Sequence, residues 1–125
     1  MSEKHYVSSL GKTWIFDLDG TLVKHNGYKI DGRDSWLEGA KEFLSHISAQ
    51  DRIIFLTSRT KEERECTEAF LEDSAIRYDE IIYNMPYGER ILVNDMKLSG
   101  LKTALAINTE RDIFMKDCFE VNEEF

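Results

Sequence analysis

Short apolar runs separated by longer polar stretches set the rhythm of the chain. Residues 13–17, 53–57, 80–83, 91–94 and 104–107 are four or five residues long, mostly β-branched or aromatic, without clean apolar/polar alternation. Such runs suit strands buried on both faces of a parallel sheet, where neither row of side chains meets water. Leu37, Ala40, Phe43, Leu44 and Ile47 share one face at helical spacing and predict a helix over 36–49, with Ser35 and Glu38 as its capping box. A second helix is predicted over 61–72, opened by Thr60 and Glu63 and turning Cys66, Ala69 and Phe70 inward. Strand and helix in alternation predict an α/β fold with a parallel sheet of about five strands. One segment breaks the rhythm. Residues 22–25 and 28–30 read as short strands joined by Asn26-Gly27, the dipeptide best suited to a two-residue turn, so a β-hairpin flap is expected after the first run.

Composition narrows the class. At 125 residues, 42% hydrophobic, the chain suits a single domain spanning 1–125 with one core. Its 16 Lys+Arg against 24 Asp+Glu give a net charge of -8, which repels polyanions and argues against nucleic-acid and anionic-membrane partners. The two cysteines, Cys66 and Cys118, form no CxxC or Cys/His cluster, so neither a disulfide framework nor a zinc site is expected. No apolar run approaches the roughly 20 residues of a membrane span, and the expectation is a soluble, cytoplasmic protein. The tail from residue 109 carries Phe114, Met115, Phe119 and Val121 among acids, a pattern open to packing on the sheet or on a neighbouring subunit.

The chemistry concentrates at the ends of the apolar runs. The first ends in Asp17-Leu18-Asp19-Gly20-Thr21-Leu22, and others end in Thr57-Ser58, Asn84 and Asn94-Asp95. Doubly wound sheets form their sites beyond the carboxyl ends of the strands, so these groups are expected to converge. Two carboxylates two residues apart, joined by a third from another strand, suit a hard cation such as Mg²⁺, which would hold a phosphate beside acids that otherwise repel it.

DLDGTL after an apolar strand, with later strands ending in Thr57-Ser58 and Asn94-Asp95, resembles the motif set of the haloacid dehalogenase superfamily of phosphohydrolases over residues 13–95. The resemblance implies a three-layer Rossmann-like sheet. It makes Asp17 the nucleophile that forms an aspartyl-phosphate and also binds Mg²⁺, and Asp19 the general acid/base and second metal ligand through its carbonyl. Gly20 turns the chain, and Thr21 braces the loop. Thr57 and the Ser58 backbone N–H hold the phosphoryl group, while Asn94 and Asp95 complete the metal shell. The third motif departs from the pattern. Relatives place a Lys or Arg there, but this chain has Met85 before Pro86, so Arg90 is the preferred replacement, with Lys97 and Arg59 as alternatives.

Neither gap between motifs has room for a cap domain. The layout resembles the capless phosphatases of capsule and surface-polysaccharide biosynthesis, which implies a phosphorylated sugar as substrate, with Lys24, His25, Tyr28 and Lys29 of the flap near it. Some capless relatives oligomerise so that a neighbour closes the site. The alternatives are a phosphatase of macromolecular substrates, either phosphoprotein or nucleic-acid ends, and a non-catalytic binding protein that kept the fold.

Overall fold

The computed structural model describes residues 3–124. It is an α/β structure in which every pairing between strands is parallel. A three-stranded sheet has the order β2-β3-β4, from Thr13–Asp17, Arg52–Leu56 and Glu80–Ile82. A separate two-stranded sheet pairs β1, Lys4–Val7, with β5, Cys118–Val121. The helices are α1, Gly27–Ile30, α2, Ala40–Ser45, and α3, Arg64–Asp73, the last entered through a 3₁₀ turn at Lys61–Glu63.

Alternation along the larger sheet sorts its side chains into two rows, because successive residues of a strand point to opposite faces. Trp14, Phe16, Ile53, Phe55 and Ile81 share one row with the core, where they meet Ala40 and Leu44 of α2, Leu71 of α3 and Phe114 of the tail. Ile15, Ile54, Leu56 and Ile82 form the other row and lie outside that cluster, with Ile15 and Ile82 exposed. Carboxylates pin the amino-terminal ends of the strands. Asp51 accepts hydrogen bonds from the Lys12 N–H at 3.0 Å and the Trp14 indole N–H at 2.9 Å, and Asp79 accepts one from the Ile53 N–H at 2.8 Å. Each ties the start of one strand to its neighbour, so register is fixed where the chain enters the sheet.

Several expectations are corrected. The runs at 91–94 and 104–107 are not strands, and the five-stranded sheet is replaced by sheets of three and two strands. Connection length accounts for it. Only residues 83–90 separate β4 from the first run and 95–103 separate the two runs, whereas a crossover between parallel strands takes about a dozen residues or more. The tail supplies β5 instead and sets Phe119 edge-on to Trp14, with ring centroids 4.9 Å apart.

The β-hairpin flap over residues 22–30 does not form either. A type I′ turn needs positive φ at both central residues. Asn26 has φ 54°, but Gly27 lies outside the positive-φ set and starts α1. Val23 pairs antiparallel with Trp36, and the Leu37 N–H bonds the Leu22 carbonyl, so the excursion is wider, from residue 24 to 35. This extended pairing also keeps 35–37 out of α2, which begins after Gly39 at φ 87°, without the Ser35–Glu38 box. In the second helix the Thr60–Glu63 box is present, but Cys66 and Ala69 face solvent. Thr67 and Leu71 take the buried face, one position round from the predicted stripe.

Candidate active site

The turn after β2 is built by one carbonyl. Leu18 C=O accepts hydrogen bonds from the N–H groups of Thr21, Leu22 and Val23, and the Gly20 N–H returns to the Val23 carbonyl at 2.7 Å. Gly20 has φ 83°, a left-handed conformation that costs a residue with a Cβ roughly 1–2 kcal/mol. A Cβ there would also stand 3.3 Å from Cγ of Arg111. The sharp reversal leaves Asp17 at the carboxyl end of β2, where the Thr21 hydroxyl donates to Asp17 Oδ2 at 3.0 Å.

Arg90 donates from Nη1 to Asp17 Oδ1 at 3.0 Å, with both side chains about a third exposed (36% and 33%). A cation thus stands beside the carboxylate that the sequence marks as nucleophile. Lys97 joins no ion pair among the described residues, and Lys24, expected near substrate, pairs with Asp31 at 2.9 Å. Arg59, also expected at the substrate, is 4% exposed, and its side chain is turned to other work. Nε and Nη2 donate to Asp19 at 3.0 and 2.9 Å, Nη2 and Nη1 donate to Asp34 at 2.7 and 3.0 Å, and Nη1 donates to the Thr67 hydroxyl at 2.9 Å. Those five bonds match a guanidinium's full complement of N–H donors. None is left for a phosphate.

Burial alone would lower the Arg59 pKa, but hydrogen bonding to Asp19 and then Asp34 outweighs it and holds the group above its ordinary value. The Tyr28 ring lies 4.2 Å from the guanidinium carbon, in cation–π range, and burial raises its phenol pKa.

Thr57 is buried one residue past the end of β3. Its hydroxyl oxygen accepts the Arg59 N–H at 3.1 Å, and its carbonyl accepts the Met85 N–H at 3.0 Å. The Asn84 N–H bonds the Arg59 carbonyl at 2.8 Å, so the chain leaving β4 is zipped to the Thr57–Ser58–Arg59 loop, where Ser58 is half-buried.

Asn94 and Asp95 are placed otherwise than expected. Asn94 Nδ2 donates to the Thr103 hydroxyl at 2.9 Å, and that hydroxyl donates to the Asp95 carbonyl. Among the described residues, Asp17, Asp19 and Asp95 do not gather within 4.8 Å of one another. Residues 91–95 are not a strand of the sheet, so Asp95 is not carried to the carboxyl ends of its strands. As arranged, these residues do not fit Mg²⁺, which demands near-octahedral oxygen coordination. Two carboxylates are present, but Arg90 stands on one and Arg59 on the other. The one cluster of metal-ligating type among the described residues is Glu3, His5 and Asp117 at the small sheet, where His5 and Asp117 are hydrogen-bonded at 2.7 Å.

Two acids were missed by sequence reasoning. Asp34 follows Gly32-Arg33 in a polar loop without periodicity, and only its burial in the fold marks it. Asp112 adopts φ 66°, accepts the His25 N–H at 2.7 Å on Oδ1 and donates its own N–H to the Gly20 carbonyl, clasping the turn from the tail. A groove of about 760 Å³ adjoins Asp112 between α2 and residues 112–117. Its lining includes Glu38, Glu42, Asp112 and Asp117 against Lys116 and His46, a balance that disfavours an anionic ligand there.

No family model matches the chain, and no curated protein matches it. Among solved structures, it resembles a chain of the Pnkp1/Rnl/Hen1 complex at 30% identity and TM-score 0.52, covering 68% of this chain and 32% of that one. A second likeness, to a chain of the Pnkp1/Rnl/Hen1 RNA repair complex, has the same identity and TM-score and covers 67% of this chain and 29% of that one. The chain therefore spans about a third of the length of the chains it matches. No helix among the described residues is long and apolar enough to cross a membrane.

Proposed function

We propose that this chain is a phosphomonoester phosphatase of haloacid dehalogenase type, with Asp17 as nucleophile. The observation that carries the reading is the partly exposed Asp17 carboxylate at the carboxyl end of β2, with Asp19 two residues on and the Arg90 guanidinium at 3.0 Å. An Asp17 oxygen attacks phosphorus, the ester P–O bond breaks, and the leaving alcohol takes a proton from Asp19. Asp19 then removes a proton from water as it attacks phosphorus, the bond to Asp17 breaks, and phosphate leaves. Arg90, hydrogen-bonded to Asp17, supplies the cation that the third motif lacks at Met85 and balances charge on the nucleophile and the phosphoryl oxygens.

Two substrate classes are in play. The sequence layout points to a sugar phosphate. The likeness to chains of an RNA repair complex favours a phosphorylated polynucleotide end instead. An end phosphate needs few contacts, so a net charge of -8 weighs less against it than against binding along a strand. A Mg²⁺ requirement is implied by the sequence resemblance alone, and the arrangement of Asp17, Asp19 and Asp95 lends it no support.

The test measures phosphate release from 3′- and 5′-phosphorylated oligoribonucleotides and from a sugar-phosphate panel, with Mg²⁺ and after chelation. Release abolished by Asp17→Asn is expected, a loss of at least about a hundredfold. Release from oligonucleotides alone selects the polynucleotide reading. Activity that survives Asp17→Asn overturns Asp17 as the nucleophile, and no activity on any substrate overturns the phosphatase and leaves a non-catalytic binding protein.

A further inference from the structure

The structure assigns Asp34 and Arg59 as a positioning pair that holds the Asp19 carboxylate, and this rests on the proposed role of Asp19 as proton donor and acceptor. A guanidinium has two edges able to meet a carboxylate side-on, Nε with Nη2 and Nη1 with Nη2. Here Asp19 fills the first and Asp34 the second. The Asp34 side chain is only 3% exposed and pairs with no other cation among the described residues, so Arg59 cannot turn from one acid to the other.

Every remaining freedom of Arg59 is also removed. Its last N–H goes to Thr67 of α3, its backbone N–H to Thr57, its carbonyl to the Asn84 N–H, and Tyr28 lies against the guanidinium. Asp19 itself sits in a tight turn beside Gly20, where an aspartate without partners would sample several side-chain rotamers. Proton transfer requires the carboxyl within hydrogen-bond reach of the leaving oxygen, and a misplacement of about 1 Å costs about a hundredfold. The pair therefore acts on rate through Asp19, touching no substrate, and couples that rate to the 24–35 excursion that carries Asp34.

The experiment uses the full chain with Asp34→Asn and Arg59→Lys, each of which keeps volume or charge while breaking a two-pronged contact. Two phosphomonoesters are compared: p-nitrophenyl phosphate, whose leaving group needs little protonation, and an alkyl phosphate, whose leaving group needs it fully. With the alkyl ester, kcat is expected to fall about ten- to a hundredfold while KM stays within about twofold. With the aryl ester, phosphate-labelled Asp17 is expected to accumulate, because its formation survives and its hydrolysis, which uses Asp19 as base, slows.

A purely structural role lowers the amount of folded enzyme and reduces both substrates equally without accumulation of phosphate-labelled Asp17, and that result overturns the inference. So do wild-type rates in both variants, or the failure of both to fold by circular dichroism; if only one folds, that one decides. Inactivity of the unsubstituted chain on both esters and on every substrate of the oligonucleotide and sugar-phosphate panel overturns the phosphatase reading and this inference with it, and full activity in Asp17→Asn overturns the assigned mechanism and this inference with it. Activity in the unsubstituted chain that Asp17→Asn abolishes, with rates unchanged in every variant that folds, overturns the inference alone.

Discussion

Residues 53–56 and 91–94 begin alike, Ile-Ile-Phe-Leu in one and Ile-Leu-Val-Asn in the other, yet they meet opposite fates. The first is β3, central in its sheet, with Ile53 and Phe55 at 0% exposure. In the second, Ile91 is 85% and Val93 88% exposed, and the chain from 84 to 117 makes no helix or strand. Intrinsic preference for extended structure is nearly the same in both. What differs is the company. β3 is flanked by β2 and β4, and α2 and α3 place Ala40, Leu44 and Leu71 in the core with it. No comparable helix precedes or follows 91–94. Burial is a property of the connection as much as of the run.

The largest effect that can break this contrast comes from like substitutions at like positions. Ile53→Ala removes a fully buried side chain and should lower unfolding free energy by about 2–5 kcal/mol, through lost transfer energy and the cavity left behind. Ile91→Ala should cost less than about 0.5 kcal/mol, as expected of an exposed position. Urea denaturation measures both. A cost at Ile91 approaching that at Ile53 would mean that the 91–94 run is buried in solution, as a strand of the sheet or against a partner.

A smaller effect sharpens the same contrast through backbone conformation. Gly20 and Gly100 both have positive φ, 83° and 95°, so alanine at either site pays roughly 1–2 kcal/mol of steric cost. Only Gly20 is crowded, by Arg111, and only Gly20 shares a carbonyl bond with Asp112. Gly20→Ala should therefore be the more destabilising by thermal melt and should slow phosphate release as well. Equal shifts in the two variants would show that the clasp of residues 111–112 on the turn contributes nothing.

What was legible in the sequence follows the same division. The three strands of the larger sheet, the Thr60 cap of the second helix and the DLDGT turn are written by local patterns, and local forces shape them in the structure. Arg90 beside Asp17 was legible only as a charge wanting a place. The fates of 91–94 and 104–107 were not legible in the apolar pattern itself, and only the short gaps of 84–90 and 95–103 between the runs, too short for a parallel crossover, carried the signal. Asp34, Asp112 and the orientation of Arg59 were hidden for a different reason. Their partners lie 25 to 87 residues away in sequence, and no periodicity announces a side chain that meets its partner only after folding.

The smallest predicted effect tests the well-packed side of the contrast by pH. Asp79 lies below the ordinary carboxylate pKa, first because the Ile53 N–H donates to it, with the charges of Arg77 and Arg52 adding to the shift. A pKa lowered on folding means that the unfolded chain binds the proton more tightly. The contribution is therefore complete above the unfolded value near 4 and is lost as pH falls through the folded one. Glu63 follows the same sign, lowered chiefly by its hydrogen bond with the Thr60 side chain. Urea midpoints of the unsubstituted chain and Asp79→Asn should differ at pH 6 and draw together as pH falls from about 4 towards 3. Because Asp79 ties β4 to β3 at its entry, a gap that stays constant with pH would assign register there to the main chain rather than to this carboxylate.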